Sequence, residues 1–198
     1  MKELSLPPLS KELLDRLSES ISKHLHLFPN KGLDESYKNR NIVSINYGYL
    51  KDIDSDINDE LENIYSKYFN EPIVFGAGRM KNTNPETVAQ VQPHVDGKEK
   101  RWTAINCYLK LGGDQVRTNF YTTELTGANS LPYEDVVLDE SYVLDQNKWY
   151  SFDSQQYHGV DNVETERSLV LIMINYPNSM PYDDFILKYN NLIKQDVK

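Results

Sequence analysis

The 198-residue sequence is poor in cysteine, tryptophan, histidine and positive charge. Its single cysteine, Cys107, excludes an intramolecular disulfide and a cysteine-rich metal site. The 21 lysines and arginines are outnumbered by 30 aspartates and glutamates, which gives a formal net charge of -9. Neither a broad nucleic-acid-binding face nor binding to an anionic membrane is therefore expected. An apolar run of about 18 residues and a signal peptide are also lacking, so we expect a cytoplasmic protein.

The length and the hydrophobic fraction of 39% are typical of one globular domain with a sizeable core. We predict a single domain over residues 1–198. It has a helical part at about 1–70, a β-rich core at about 72–176 and a C-terminal helix at about 182–195. Ser10 is a predicted helix N-cap, and a second helix is predicted to begin near Asp54 or Ser55.

Between the helical parts, many short segments alternate in the manner of strands, and Gly-rich or polar turns separate them. Eight or more such strands indicate a sandwich or a barrel. Residues 167–176 are the most apolar segment and predict a buried central strand. Residues 123–147 are the least regular, and they are either a lid over a site or a long connection.

Two histidines and one aspartate of the β-rich core form a candidate metal site. His94 and Asp96 end a predicted strand, where residues i and i+2 share one face. The pair alone is weak evidence, because a histidine at a strand end is usually structural. His158, in a later turn-rich stretch, completes two histidines and one carboxylate, which is the ligand set of non-haem Fe(II) oxygenases. Zinc accepts the same ligand types, so the metal stays open at this point.

Arg167 opens the apolar segment nine residues after His158. An arginine that points into a barrel needs a counter-charge. A bound carboxylate, such as the 5-carboxylate of 2-oxoglutarate, would supply one through a bidentate pair. The alternative is an exposed arginine, or one that pairs with an acidic side chain. His24 and His26 lie in or just after the first predicted helix and are predicted to be capping or surface residues.

The stretch HVDGKEKRWTAINCYLKLGG, followed by TNFY and by HGVDNVETERSLVLIMINY, resembles the 2-oxoglutarate/Fe(II) dioxygenases of the prolyl 4-hydroxylase-like type. In that family an Arg follows the H-x-D pair, and Tyr-Leu, Gly-Gly and T-x-F come next. The matching residues are Arg101, Tyr108-Leu109, Gly112-Gly113, and Thr118 with Phe120. Two features depart from the pattern: three extra residues precede Thr118, and Lys110 stands where the family often has Asn. Asp96 argues against a halogenase or an asparaginyl hydroxylase.

The resemblance implies a mainly β fold with flanking helices (α+β) and a double-stranded β-helix core, which is the jelly-roll of cupin-like proteins. It implies Fe(II) held by His94, Asp96 and His158, with 2-oxoglutarate and O2 as cosubstrates. Tyr108 and Arg167 would bind the 5-carboxylate of 2-oxoglutarate. The implied reaction hydroxylates a C–H bond of a small molecule or of an amino-acid or peptidyl substrate, and it releases succinate and CO2.

Three alternatives stay open at this stage. The chain could be a cupin-like metal-dependent enzyme that does not use 2-oxoglutarate, or a non-enzymatic β-sandwich binding module. Tyr108 could be a core tyrosine without a ligand. The sequence carries no indication of the oligomeric state.

Overall fold

The computed structural model describes residues 1–27, 44–82, 84, 86–96, 103–125, 127–178 and 180–194. The described residues form ten β-strands and four α-helices. The strands are β1 Lys2–Glu3, β2 Ser44–Tyr49, β3 Ile73–Lys81, β4 Ala89–His94, β5 Thr103–Leu111, β6 Arg117–Thr122, β7 Val137–Tyr142, β8 Trp149–Asp153, β9 Tyr157–Val163 and β10 Glu166–Ile174. The helices are α1 Lys11–His24, α2 Leu50–Ile53, α3 Ser55–Tyr65 and α4 Tyr182–Lys188.

The strands form two antiparallel sheets. The major sheet has the order β1-β8-β5-β10-β3-β2, and the minor sheet has the order β4-β9-β6-β7. The fold is therefore a double-stranded β-helix with flanking helices, which confirms the expected fold class. β10 lies between β5 and β3 near the centre of the major sheet. This central position confirms the buried strand that the apolar run predicts.

The helices cover one face of the major sheet. Alternate residues of β5 and β10 pack against the apolar side of the helices in the largest core cluster. Members of that cluster include Leu13, Leu17, Ile21, Ile57, Leu61, Ile105, Cys107, Leu109, Val170, Ile172 and Ile174. The remaining residues of these two strands face the opposite way, because side chains alternate along a strand. On that side Ala104 packs with Phe120 of the minor sheet, so these side chains lie between the two sheets.

Local hydrogen bonds fix where the helices begin and end. The Ser10 hydroxyl accepts from the amide of Leu13, and the Asp54 carboxylate accepts from the amide of Ile57, so both predicted N-terminal ends are confirmed. α4 ends at Lys188, before the predicted end near residue 195. The chain turns there, and Ile193 bridges to Leu4 as a strand-like pair. None of the helices in the described ranges is both long enough and apolar enough to cross a bilayer.

A polar cluster fastens the end of α1 to the major sheet. The Glu166 carboxylate accepts from Nζ of Lys110 at 2.8 Å and from Oγ of Ser22 at 3.1 Å. Nη1 of Arg79 donates to the carbonyl oxygen of Ser22 at 3.1 Å and lies 3.9 Å from the Glu166 carboxylate. Burial alone would raise the pKa of Glu166, but the hydrogen bonds and the two cations outweigh it and lower that pKa.

Glu166→Gln is expected to lower the free energy of unfolding at pH 7 by about 1 kcal/mol, a modest value because solvent partly screens the cluster. The folded-state pKa lies below the ordinary value of 4.5. The stabilisation is therefore complete above the unfolded pKa and is lost as the pH falls through the folded one. Urea unfolding at pH 7 and at about pH 3.5 should show the difference from wild type shrinking in acid. Exposed Glu164→Gln is the control, and a difference that does not depend on pH would contradict this explanation.

Candidate metal centre

Three potential metal ligands come together on the minor sheet. His94 ends β4 and lies opposite His158, near the start of β9, in the register of the two strands. Oδ1 of Asp96 lies 3.9 Å from Nε2 of His94 and 4.0 Å from Nε2 of His158. One ligand atom from each of the three residues lies within 4.8 Å of the others. Two imidazoles and one carboxylate at these separations can converge on a single ion.

Backbone carbonyl groups orient both imidazole rings. Nδ1 of His94 is 2.8 Å from the carbonyl oxygen of Gln92, and Nδ1 of His158 is 2.9 Å from that of Gln156. A carbonyl oxygen only accepts, so we assign the proton of each ring to Nδ1, and Nε2 keeps its lone pair. Because Nε2 is the atom near Asp96 in both rings, each ring directs the lone pair of Nε2 toward the place that a metal ion would occupy.

The cluster is packed on one side and open on the other. The His158 ring lies 5.1 Å from the ring of Phe152 and 6.2 Å from that of Phe120, measured between centroids. Its side chain is 8% exposed, whereas those of His94 and Asp96 are 26% and 23% exposed. A ligand can therefore reach the cluster from the side of His94 and Asp96.

The backbone of Asp96 is held by the turn between β8 and β9. Its amide donates to the carbonyl oxygen of Ser154 at 2.9 Å, and its carbonyl oxygen accepts from Nε2 of Gln155 at 2.8 Å. The same turn leads directly into β9 and His158. One local structure thus positions the carboxylate relative to the distal histidine.

Part of the irregular segment 123–147 runs beside the strand that carries His94. The amide of Val95 donates to the carbonyl oxygen of Asn129 at 2.9 Å, and the amide of Leu131 donates to that of Pro93 at 3.0 Å. Ser130 forms a β-bridge with His94. Residues 129–131 therefore extend the minor sheet at the metal centre, and Val137–Tyr142 form β7. These two parts of the segment form a hydrogen-bonded connection. A long connection is one of the two alternatives predicted for the segment.

Arg167 lies buried between the sheets with few partners. The residue is 4% exposed, and its Nη2 donates to Oγ1 of Thr118 at 2.8 Å. Its guanidinium carbon lies 4.4 Å from the centroid of the Tyr108 ring. Nη1 is buried without a hydrogen-bond partner, and no ion pair joins Arg167 to a carboxylate among the residues that the structure describes. Burial lowers the pKa of Arg167, and the nearby Tyr108 opposes that shift.

The register of β6 relates Arg167 to the candidate metal centre. Phe120 lies opposite His158, and Thr118, the hydrogen-bond partner of Arg167, lies opposite Val160. Two residues along a strand span about 7 Å on the same face. A dicarboxylate of five carbons has a comparable length. The residues present therefore fit a ligand that binds a metal ion through one end and meets an uncompensated guanidinium at the other.

The structure separates the other candidate residues from the centre. Tyr108 is 3% exposed and packs with Tyr150, so it is buried like a core tyrosine. Its ring also lies against the Arg167 guanidinium. His24 ends α1, and exposed His26 follows it, on the helical side of the major sheet. Arg101, which matches the arginine of the family pattern, lies outside the described residues.

Sequence reasoning missed the role of Thr118 and of Gln155 in this site. The motif includes Thr118, but the hydroxyl acts by holding Arg167, which no spacing along the chain reveals. Gln155 acts on the backbone of Asp96 from a turn that is 59 residues away. A strand-pairing hypothesis that sets Phe120 opposite His158 would have placed Thr118 inside the barrel.

Thr118→Val is expected to lower the free energy of unfolding of the ligand-free protein by about 1–3 kcal/mol. The substitution keeps the volume of the side chain but removes the hydroxyl that, together with Tyr108, holds the Arg167 guanidinium among the described residues. Urea unfolding of Thr118→Val and of Thr118→Ser, which retains the hydroxyl, makes the comparison. Equal losses in both variants would mean that the hydrogen bond to Arg167 contributes nothing to stability.

Comparisons with known proteins show the fold of the chain. No family model and no curated protein matches the sequence. AviO1 from Streptomyces viridochromogenes Tue57 is 15% identical over 91% of this chain and 93% of its own, with a TM-score of 0.52. A Pseudomonas putida prolyl-4-hydroxylase is 12% identical over 87% and 91%, with a TM-score of 0.49. A Burkholderia pseudomallei oxidoreductase of the 2OG-Fe(II) oxygenase family is 9% identical over 86% and 81%, with a TM-score of 0.48. At 15% identity the similarity to AviO1 concerns the fold alone.

Proposed function

We propose that this protein is a 2-oxoglutarate- and Fe(II)-dependent dioxygenase that hydroxylates a C–H bond. One observation carries the proposal. A buried arginine with an unpartnered nitrogen donates to Thr118, and Thr118 lies two residues along β6 from Phe120, which is opposite His158 of the cluster of two histidines and one aspartate. A metal-binding protein without a keto-acid cosubstrate has no evident use for that uncompensated charge. A binding module without a metal has no evident use for the cluster.

His94, Asp96 and His158 would hold the iron through one nitrogen each and one carboxylate oxygen. Three protein ligands would leave further coordination positions of the ion for cosubstrate and oxygen. Iron and 2-oxoglutarate bound there supply the oxidising chemistry, in which the keto acid becomes succinate and CO2 and one oxygen atom enters the substrate.

Arg167 would hold the 5-carboxylate of 2-oxoglutarate, and Thr118 and Tyr108 would orient the guanidinium. Nη1 of Arg167 offers the donor that the protein leaves unused. A carboxylate there would also compensate the buried positive charge, which has no acidic partner within the described part of the chain. Leu111, Val116 and Leu144 lie around Arg167 and offer no polar side-chain atom that would compete for this contact.

The substrate would approach from the side on which His94 and Asp96 are partly exposed. The packed side is closed by the Phe120 and Phe152 rings against His158. A small molecule, a free amino acid or an extended peptide each fits this direction of approach. We therefore propose a small-molecule substrate or an amino-acid or peptidyl substrate.

Succinate formation tests the proposed reaction. The protein is incubated with Fe(II), 2-oxoglutarate and oxygen against a panel of amino acids, small metabolites and peptides, and succinate is quantified by NMR. We expect succinate that requires iron, increases with one class of substrate and falls to the background level in Asp96→Ala. Succinate at the same rate in Asp96→Ala, or with Zn(II) in place of Fe(II), would contradict the proposed role of the cluster.

A further inference from the structure

Asn106 is a polar side chain on the inner face of the major sheet. Its neighbours along β5, Ile105 and Cys107, belong to the core cluster that packs against the helices. Ala104 and Tyr108, two residues away on either side, belong to clusters on the opposite face. Because side chains alternate along a strand, Asn106 faces the space between the two sheets.

The amide of Asn106 is buried without a protein partner for its oxygen. The residue is 5% exposed, and Oδ1 makes no hydrogen bond with the described residues. Leu171 and Tyr150 lie opposite it on the adjacent strands. Leucine offers no polar side-chain atom, and the Tyr150 hydroxyl accepts from the amide of Asp145. Buried polar groups in native folds are nearly always paired, so an unpaired amide at this place points to a ligand.

Asn106 lies between the two ends of the candidate site. Tyr108, the ring beneath Arg167, is two residues away along the strand, which is about 7 Å. In the other direction, Ala104 packs with Phe120 and Phe152, whose rings both contact the His158 ring. A ligand that joins the metal centre to Arg167 therefore passes the Asn106 amide.

We propose that Asn106 binds the metal-bound end of the keto acid by donating a hydrogen bond from its amide nitrogen to the 1-carboxylate. This inference rests on the proposed function. The oxygen and nitrogen of an amide are told apart only by their partners, and no described side chain distinguishes them here. Both the carboxylate and the keto group of the ligand only accept hydrogen bonds. When the ligand is bound, the amide nitrogen of Asn106 therefore occupies the position of the unpartnered atom and donates its N–H to the ligand.

The contribution of this contact is measured by titrating the Fe(II)-loaded protein with 2-oxoglutarate in the absence of oxygen. The visible band of the chelate reports the binding. We expect Asn106→Leu and Asn106→Ala to weaken 2-oxoglutarate binding about tenfold or more, as the loss of a hydrogen bond to a charged group does. Iron affinity should stay at the wild-type value. An unchanged affinity for 2-oxoglutarate in both folded variants would overturn the inference while leaving the proposed function intact.

Oxalate identifies which end of the keto acid Asn106 contacts. This two-carbon chelator occupies the metal but has no arm that reaches Arg167, and its affinity is measured by competition against the 2-oxoglutarate band. Asn106→Ala should weaken oxalate binding, and Arg167→Met should leave it unchanged. Weaker binding of 2-oxoglutarate but not of oxalate in Asn106→Ala would overturn the assignment to the 1-carboxylate.

Thermal unfolding without metal or ligand separates a binding role from a structural one. Removing a binding residue whose oxygen is unpaired in the free protein should lower the free energy of unfolding very little. At least one of the two variants should therefore melt at or above the wild-type temperature. A lower melting temperature in both variants would show a structural role and overturn the inference. If wild type binds iron but forms no chelate band, the proposed function fails, and this inference fails with it.

Discussion

Replacing His158 with alanine is expected to lower the affinity for Fe(II) by more than about 100-fold. Loss of an outer hydrogen-bond partner of a metal ligand already costs about 10- to 100-fold, and His158 would supply one of three protein ligand atoms. The ring is also the most buried member of the cluster, so water replaces it poorly. The measurement is metal content after equilibrium dialysis, followed by succinate formation at saturating iron.

The matched control for His158→Ala is His26→Ala, which removes an exposed imidazole on the helical side of the major sheet. It should bind iron with the wild-type affinity. Asp96→Asn adds a finer test, because it keeps the shape of the side chain but removes its charge. If His158→Ala binds iron as tightly as His26→Ala does, the His94–Asp96–His158 cluster is not the iron site.

Replacing Arg167 with methionine is expected to weaken 2-oxoglutarate binding by about 100-fold or more. Loss of one member of a buried, hydrogen-bonded charge pair costs about 2–5 kcal/mol, and each 1.4 kcal/mol is tenfold in affinity. Iron binding should not change, because the guanidinium contacts Thr118, which is two residues along β6 from the residue opposite His158. Titration of the Fe(II)-loaded variant with 2-oxoglutarate in the absence of oxygen measures the loss.

The stability of the ligand-free Arg167→Met variant is informative as well. In wild type the buried guanidinium has an unpartnered Nη1 and no acidic partner among the described residues. Replacing an uncompensated buried charge by an apolar side chain is expected to leave the free energy of unfolding unchanged or to raise it. Exposed Arg117→Met should affect neither property. A large loss of stability with unchanged 2-oxoglutarate binding would make Arg167 a structural residue.

The elements that sequence patterns predicted best are those whose signal is local. The Ser10 and Asp54 caps are short-range hydrogen bonds to the third residue after each, so side-chain chemistry locates them directly. β10 is predicted by its continuous apolar run, because a strand that is buried on both faces has apolar residues at successive positions. The early end of α4 depends instead on the bridge between Ile193 and Leu4 at the far end of the chain, which no local pattern contains.

The candidate site divides in the same way. The H-x-D spacing, a late histidine and an arginine nine residues on are features of the linear sequence, and the structure places the three metal-ligand candidates within 4.8 Å. Residues 129–131 reach His94 by strand pairing, which an irregular sequence does not predict. Asn106 is unremarkable in sequence, and its interest comes from an unpaired atom that only the assembled sheets define.

The visible spectrum of the protein with Fe(II) and 2-oxoglutarate, recorded without oxygen, tests the central claim most directly, because it needs no knowledge of the substrate. We expect a weak charge-transfer band that requires both additions and is absent from His94→Ala. Bound iron without such a band would contradict the use of 2-oxoglutarate and favour a cupin-like metalloenzyme. Failure to bind iron at all would contradict the metal centre itself and favour a binding module.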